Sequence, residues 1–259
     1  IMKSCNSYFY WLADRLGYDA IAPTARLLGL GEEFQLAGSS QRYGTIPDSA
    51  WKMKKYDQKW SASDSLNSVI GQGYVSVNPL QLAVMASRIA SGRRLYPRLI
   101  NREFKNEPLP FSPEALAVAR QGMDLVVNGA GTAVRSRLPL DGITMAGKTG
   151  TAQVRGLNTG NGKAGTWKFR DHGLFIGFAP VDNPRYATAV VIEHGMGGAR
   201  AAAPVAKDFM TFLFDREKAM EALDTFEAGW GGTIKERMDR DYAAWKSGAS
   251  SDPEPGVPQ

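Results

Sequence analysis

Along the chain, stretches with apolar residues at helical spacing give way to stretches in which apolar residues run together. Near the start, Phe9, Leu12, Ala13 and Leu16 recur at three- and four-residue intervals. This predicts a helix over residues 7–16, closed by Gly17. A second short helix is expected from Pro23 to Leu28, with proline at its first turn and Gly29 and Gly31 behind it. Residues 32–68 are polar with scattered aromatics and show no period, so they read as a long surface excursion. The helical pattern then returns. Asn78 offers a cap, Pro79 suits the first helical position, Leu82, Met85, Ala86 and Ile89 share a face, and Gly92 ends the run. Residues 113–127 form the next helix, with Leu116, Ala119, Met123 and Val126 on one face and the glycine-rich turn "NGAGTAV" behind.

Beyond that turn the period changes. Strands are expected at residues 143–154, at 173–179 ("GLFIGFA") and at 186–193 ("YATAVVIE"), the last two joined as a hairpin by "PVDNPR". Their near-continuous apolar runs predict strands covered on both faces. Helices followed by consecutive strands argue for an α+β fold, an antiparallel β-sheet flanked by helices. An apolar helix is expected from Ala202 to Phe214, and the first domain is placed at residues 1–214. Residues 215–246 are charged and suit two short helices, with Ile234, Met238, Tyr242 and Trp245 as a stripe expected to pack. Residues 247–259, "SGASSDPEPGVPQ", have the composition of a disordered tail.

Composition removes several function classes. The 259 residues are 43% hydrophobic and 22% charged, ordinary for a globular chain. No run of about 18 apolar residues occurs. The net charge of +5 is mild, and its densest cluster is Lys52, Lys54, Lys55 and Lys59, interleaved with Trp51, Tyr56 and Trp60. No nucleic-acid-binding pattern accompanies it, so nucleic acid is not an expected partner. The single cysteine, Cys5, excludes an intrachain disulfide and a cysteine-rich zinc site. No cluster of metal ligands stands out, and neither a metal nor another cofactor is expected. His172 and His194 are the only histidines, so a Ser-His-Asp triad would have to use one of them.

One segment carries chemistry. "MAGKTGTAQV" spans Met145 to Val154 and places Lys148, Thr149, Gly150 and Thr151 inside a predicted strand. Strand alternation puts Lys148 and Gly150 on one face, with Thr149 and Thr151 on the other. Gly150 lets a ligand approach the backbone, Lys148 offers a fixed cation for a carboxylate, and the threonine hydroxyls add hydrogen bonds. The strand can also pair with an extended peptide. A peptide-like ligand bearing an acid group fits this arrangement. Far upstream, "KSCNS" contains Ser4-Cys5-Asn6 at the mouth of the first helix, where a serine also serves as an ordinary helix cap. S-x-N followed by K-T-G is the order found in penicillin-interacting serine enzymes.

The wider context resembles a known family. "IGQGYVSVNPLQLAVMASRIASG", "MAGKTGTAQV" and "LFIGFAPVDNPRYATAVVIEHG" are similar to the transpeptidase domain of class B penicillin-binding proteins. "TIPDSAWKMKKYDQKW" followed by "IGQGY" is closest to the elongation-type group, penicillin-binding protein 2. The resemblance covers roughly residues 1–214. It implies the penicillin-binding-protein and serine β-lactamase-like fold, here incomplete, and a serine acyl-enzyme that cross-links D-Ala-D-Ala stem peptides of peptidoglycan. β-Lactams should acylate the complete protein. It implies catalytic roles for Ser4 in a proton relay, Asn6 on a ligand carbonyl, Lys148 as local cation and the Thr151 backbone N–H in the oxyanion hole. Thr149, Gly150 and Thr151 would bind the ligand carboxylate. Elongation-machinery proteins, including a glycan polymerase, are the implied partners. The implied location is the periplasmic face of the bacterial inner membrane. A lysine base makes a histidine triad unnecessary, so both histidines are read as structural, and Cys5 as the variable middle of S-x-N.

The family's nucleophilic S-x-x-K has no counterpart in the expected place. The one match, Ser49-Ala50-Trp51-Lys52, lies downstream of S-x-N in the aromatic, lysine-rich excursion, and it is not taken as the nucleophile. The expectation is therefore a C-terminal part of a longer protein, with the nucleophile and a membrane anchor upstream of Ile1 and no activity alone. Two alternatives stand beside it. One is a non-catalytic module of the same fold that binds wall peptides or elongation-complex partners. The other is a DD-carboxypeptidase or serine β-lactamase.

Overall fold

The computed structural model describes residues 1–36, 42–100, 105–154 and 167–248. The chain divides into two compact units, residues 1–210 and 211–259. The first unit opens with helices α1 (Asn6–Leu16), α2 (Tyr18–Leu27), α3 (Ser49–Tyr56) and α4 (Ala62–Val69), followed by α5 (Pro79–Ser91) and α6 (Pro113–Val127). Strands β1 (Ala146–Ala152), β2 (His172–Ala179) and β3 (Tyr186–Ile192) come next, and α7 (Ala203–Phe214) runs to the unit boundary and beyond.

Three expected elements hold closely. In α5, Asn78 and Gln81 form a reciprocal capping box, Pro79 sits in the first turn, and Gly92 closes the helix in the left-handed region. In α6, the Ser112 hydroxyl accepts from Ala115 N–H ahead of Pro113. The hairpin expected around "PVDNPR" joins β2 and β3.

The early chain differs from the sequence reading. Helix α2 begins at Tyr18, not Pro23, and carries the proline in its interior. Burial outweighs the lost ladder hydrogen bond, because Tyr18 and Ala22 form a core cluster with Ile46, and the Tyr18 ring stacks on Trp60 at 5.8 Å. The supposed excursion holds two eight-residue helices. The Asp48 carboxylate accepts from Trp51 N–H to start α3, and Ser61 with Asp64 forms a capping box on α4. Lys52 reaches across to Asp64 at 2.5 Å and is buried, so the basic cluster is not wholly a solvated patch. Burial would raise the Asp64 carboxyl, but hydrogen bonds from Lys52 and Ser61 hold it below the usual carboxylate range.

The described sheet is antiparallel in the order β1-β2-β3. Ala146, Ile176 and Phe178 face Ala86 and Ala90 of α5 and Met123 of α6 in the main core. A π-helical turn at Gly198–Ala202 packs on the sheet as well. The β2 strand is therefore buried along most of its length, as its apolar run predicts. The antiparallel sheet with helices against it is the α+β arrangement expected.

In the second unit, α8 (Arg216–Gly229) and α9 (Ile234–Lys246) are the two charged helices expected. The stripe of Ile234, Met238, Tyr242 and Trp245 is exposed rather than packed. Most of the expected disordered tail, residues 249–259, lies outside the described residues.

Candidate active site

The β1–β2 register pairs Lys148 with Ile176 and Gly150 with Leu174, while Thr149 pairs with Phe175 and Thr151 with Gly173. Directly paired residues share a face, so the expected alternation holds. Because β1 ends the described sheet, both faces and the open edge of this stretch reach one cleft of about 480 Å³. Ser4, Asn6, Lys148, Thr149, Gly150 and Thr151 all line it. The structure thus brings together every candidate site residue named from the sequence.

At the helical wall, Cys5 is the residue before α1, and no side chain caps the helix. Ser4 is therefore not spent as a cap. It lies in the left-handed region at φ 51, uncommon for a residue with a side chain, and its hydroxyl is directed to the sheet. Lys148 Nζ donates to Ser4 Oγ at 2.6 Å across 144 positions, and to the Thr149 carbonyl at 2.6 Å. Burial lowers the pKa of Lys148 from the ordinary lysine value, because the charged form is partly desolvated. A lysine in that condition holds a serine hydroxyl and yields a proton more readily than a surface lysine.

Residues outside K-T-G and S-x-N complete the cleft. Thr132, in the glycine-rich turn after α6, meets the Thr149 hydroxyl at 2.8 Å. Gln72, in the turn after α4, donates to the Thr151 carbonyl at 2.8 Å. Arg200 lines the rim from the π-helical turn. That turn closes tightly on the sheet at Gly198, where an added Cβ would lie 2.0 Å from the Leu174 carbonyl oxygen and 2.6 Å from that of Gly150. The sequence signals nearest to these residues are the glycines of "GQG", "GAG" and "GMGG".

The other named residues lie elsewhere. The Ser49 hydroxyl and N–H donate to Asp19, and Lys52 is held by Asp64. The S-x-x-K spacing at Ser49 thus serves the start of a helix. His194 N–H donates to His172 Nδ1 at 2.9 Å, and the Trp167 ring lies 4.2 Å from His194. Neither histidine lines the cleft. Cys5 is free and exposed. Among the described residues, no group of His, Cys, Asp and Glu could hold a metal ion.

The sequence and the fold are similar to those of known proteins. Residues 1–211 match the penicillin binding protein transpeptidase domain. The peptidoglycan D,D-transpeptidase MrdA of Acinetobacter baumannii is 33% identical over 235 residues, covering 84% of this chain and 34% of that protein. The Haemophilus influenzae MrdA is 32% identical, covering 83% of this chain and 36% of that protein. The chain thus spans about a third of the length of the curated relatives it matches. Among solved structures, PBP2 in its complex with MreC from Helicobacter pylori superposes with a TM-score of 0.73 at 30% identity, over 83% of this chain and 40% of that one. Pseudomonas aeruginosa PBP2 in complex with WCK 5153 gives a TM-score of 0.67 at 34% identity, over 80% of this chain and 44% of that one. The chain belongs to the penicillin-binding-protein transpeptidases and, within them, to the class B group of penicillin-binding protein 2 and MrdA.

Proposed function

We propose that the whole protein is a peptidoglycan D,D-transpeptidase acting through a serine acyl-enzyme. The observation that carries this is the 2.6 Å contact between Lys148 Nζ and Ser4 Oγ, in a cleft walled by Thr149, Gly150 and Thr151. In the proposed reaction a serine oxygen attacks the carbonyl between two terminal D-Ala residues of a stem peptide. The terminal D-Ala leaves with a proton, and the amine of a neighbouring stem then attacks the acyl-serine to form the cross-link. Ser4 and Lys148 relay protons to the leaving amine, and the lysine supplies positive potential. Asn6 holds a ligand carbonyl through its amide. Thr149 and Thr151 hydroxyls bind the ligand carboxylate, Gly150 keeps the backbone accessible, and the Thr151 N–H is one donor of the oxyanion hole. β-Lactams react as mimics of the acyl-D-Ala-D-Ala end.

The nucleophilic S-x-x-K is proposed to lie upstream of Ile1, together with a membrane anchor that sets the enzyme at the periplasmic face of the inner membrane. Residues 1–214 would be the C-terminal part of the transpeptidase domain, 215–246 a helical extension and 247–259 a tail. Partners in the elongation machinery, including a glycan polymerase, are supported by two relatives. One is a PBP2 solved with MreC, and the other comes from work on a peptidoglycan synthase complex that coordinates polymerization and crosslinking.

Intact-mass analysis after incubation with benzylpenicillin tests the reading on this chain and on the full-length protein. A penicilloyl adduct on the full-length protein alone is expected. An adduct on this chain would overturn the upstream nucleophile. No adduct on either would replace the enzyme with a non-catalytic binding module.

A further inference from the structure

The free edge of β1 is not left open along its length. Helix α4 ends in a left-handed turn in which Gly71 N–H donates to the Ser68 carbonyl and Gln72 N–H to the Asn67 carbonyl. These are the paired bonds of a Schellman motif. Gly71 and Gly73 both take left-handed φ values, 76 and 68, so Gln72 is held between two positions that disfavour a side chain. The turn then continues into Ser76, which exchanges backbone hydrogen bonds with Thr45. Gln72 is thereby anchored on both sides.

Its carboxamide meets β1 in a specific way. Nε2 donates to the Thr151 carbonyl at 2.8 Å, and Oε1 accepts from Gln153 N–H at 3.3 Å. A carbonyl at one residue and an N–H two residues on are the pair that a parallel neighbouring strand would engage. The side chain therefore stands in for one residue of a missing strand. In an antiparallel ladder a residue turns its N–H and C=O to the same neighbour. Since Gln72 meets the Thr151 carbonyl away from β2, Thr151 N–H faces the open edge too. The Thr149 carbonyl on that edge is taken by Lys148. Between these two carbonyls, each with a second lone pair, the donor on the edge is Thr151 N–H.

We propose that Gln72 is a positioning residue that caps the β1 edge just past Thr151 and so fixes Thr151 N–H as the donor presented to the reacting carbonyl. The proposal deepens the transpeptidase reading and rests on it for the reacting carbonyl, but the cap itself does not. Two arms keep them apart. Amide hydrogen exchange of this chain needs no activity: Gln153 N–H should exchange faster in Gln72→Ala and stay protected in Gln72→Glu, which keeps the acceptor. Unchanged exchange in Gln72→Ala overturns the cap.

The second arm is acylation of the full-length protein by benzylpenicillin. Gln72→Ala should slow it by about tenfold, the scale of one lost hydrogen bond. Gln72→Glu should be slower still, because its carboxylate faces the Thr151 carbonyl and cannot donate. A role in packing alone predicts the reverse order, since glutamate keeps the shape, and that order overturns the proposal, as does a wild-type rate in both variants. If wild-type protein takes no adduct, the transpeptidase reading falls and with it the catalytic half of the proposal, while exchange still decides the cap.

Discussion

Replacing Lys148 with methionine separates catalytic from structural roles at the centre of the cleft. The ammonium makes two hydrogen bonds of 2.6 Å, to Ser4 Oγ and the Thr149 carbonyl. Hydrogen bonds to a charged group contribute about 1.5–3 kcal/mol each, but a partly desolvated ammonium costs several kcal/mol, so the two nearly offset. Methionine keeps most of the side-chain volume. Stability of Lys148→Met should thus stay within about 1 kcal/mol of wild type by urea denaturation. The rate should not. Losing one charged hydrogen bond in the proton relay, about 1.5–3 kcal/mol, slows acylation of the full-length protein about ten- to 150-fold. The lowered pKa adds a pH signature. Burial makes the charged form of Lys148 less favourable in the folded state than in the unfolded chain, so the unfolded chain binds more protons between the depressed folded value and the ordinary unfolded one. Stability should rise with pH through that alkaline window and level off above it, and this contribution should vanish in Lys148→Met. Wild-type acylation by the variant would remove Lys148 from the relay. A stability loss beyond about 3 kcal/mol would make it a structural strut instead.

Two further outcomes are expected. Arg88 is wholly buried, paired with Glu32 at 2.8 Å and donating to the Leu27 and Leu95 carbonyls, so Arg88→Ala should cost about 3–5 kcal/mol in urea denaturation, and Arg88→Met less. Gly198→Ala would force Cβ against the Leu174 and Gly150 backbone, so it should lower stability by about 1–3 kcal/mol and slow acylation of the full-length protein; a variant equal to wild type in both would mean that the turn has slack.

What the sequence disclosed follows from where the information is local. Helices α5 and α6 announce themselves through caps, proline and a repeating apolar face, all within a few residues. Strand β2 declares itself by an unbroken apolar run, since it is buried along most of its length, whereas β1 and β3 are mostly half-buried. Helices α3 and α4 are only eight residues each, too short to display a period, and their burial depends on distant partners such as Tyr18 and on the Lys52–Asp64 pair. Their caps, Asp48 and Ser61, stand before no periodic run that would mark them as helix starts. The same division runs through the cleft. K-T-G and S-x-N are compact motifs. Gln72, Thr132 and Arg200 acquire meaning only once three separate turns converge on β1; in the linear text each is marked by neighbouring glycines, and Gln72 also by its place in "IGQGY".

The span between Ser4 and Lys148 bears on how the molecule assembles. A contact of 144 positions closes a long loop within a unit of residues 1–210. Chain-closure entropy disfavours forming it before nearer contacts have shortened the effective path. The serine–lysine contact should therefore mature late, after the α5–α6 layer has docked on the sheet. Fluorophores at the ends of this pair would report completion of folding rather than its onset, and nascent or thermally frayed molecules would lose the cleft while still scoring as helical by circular dichroism.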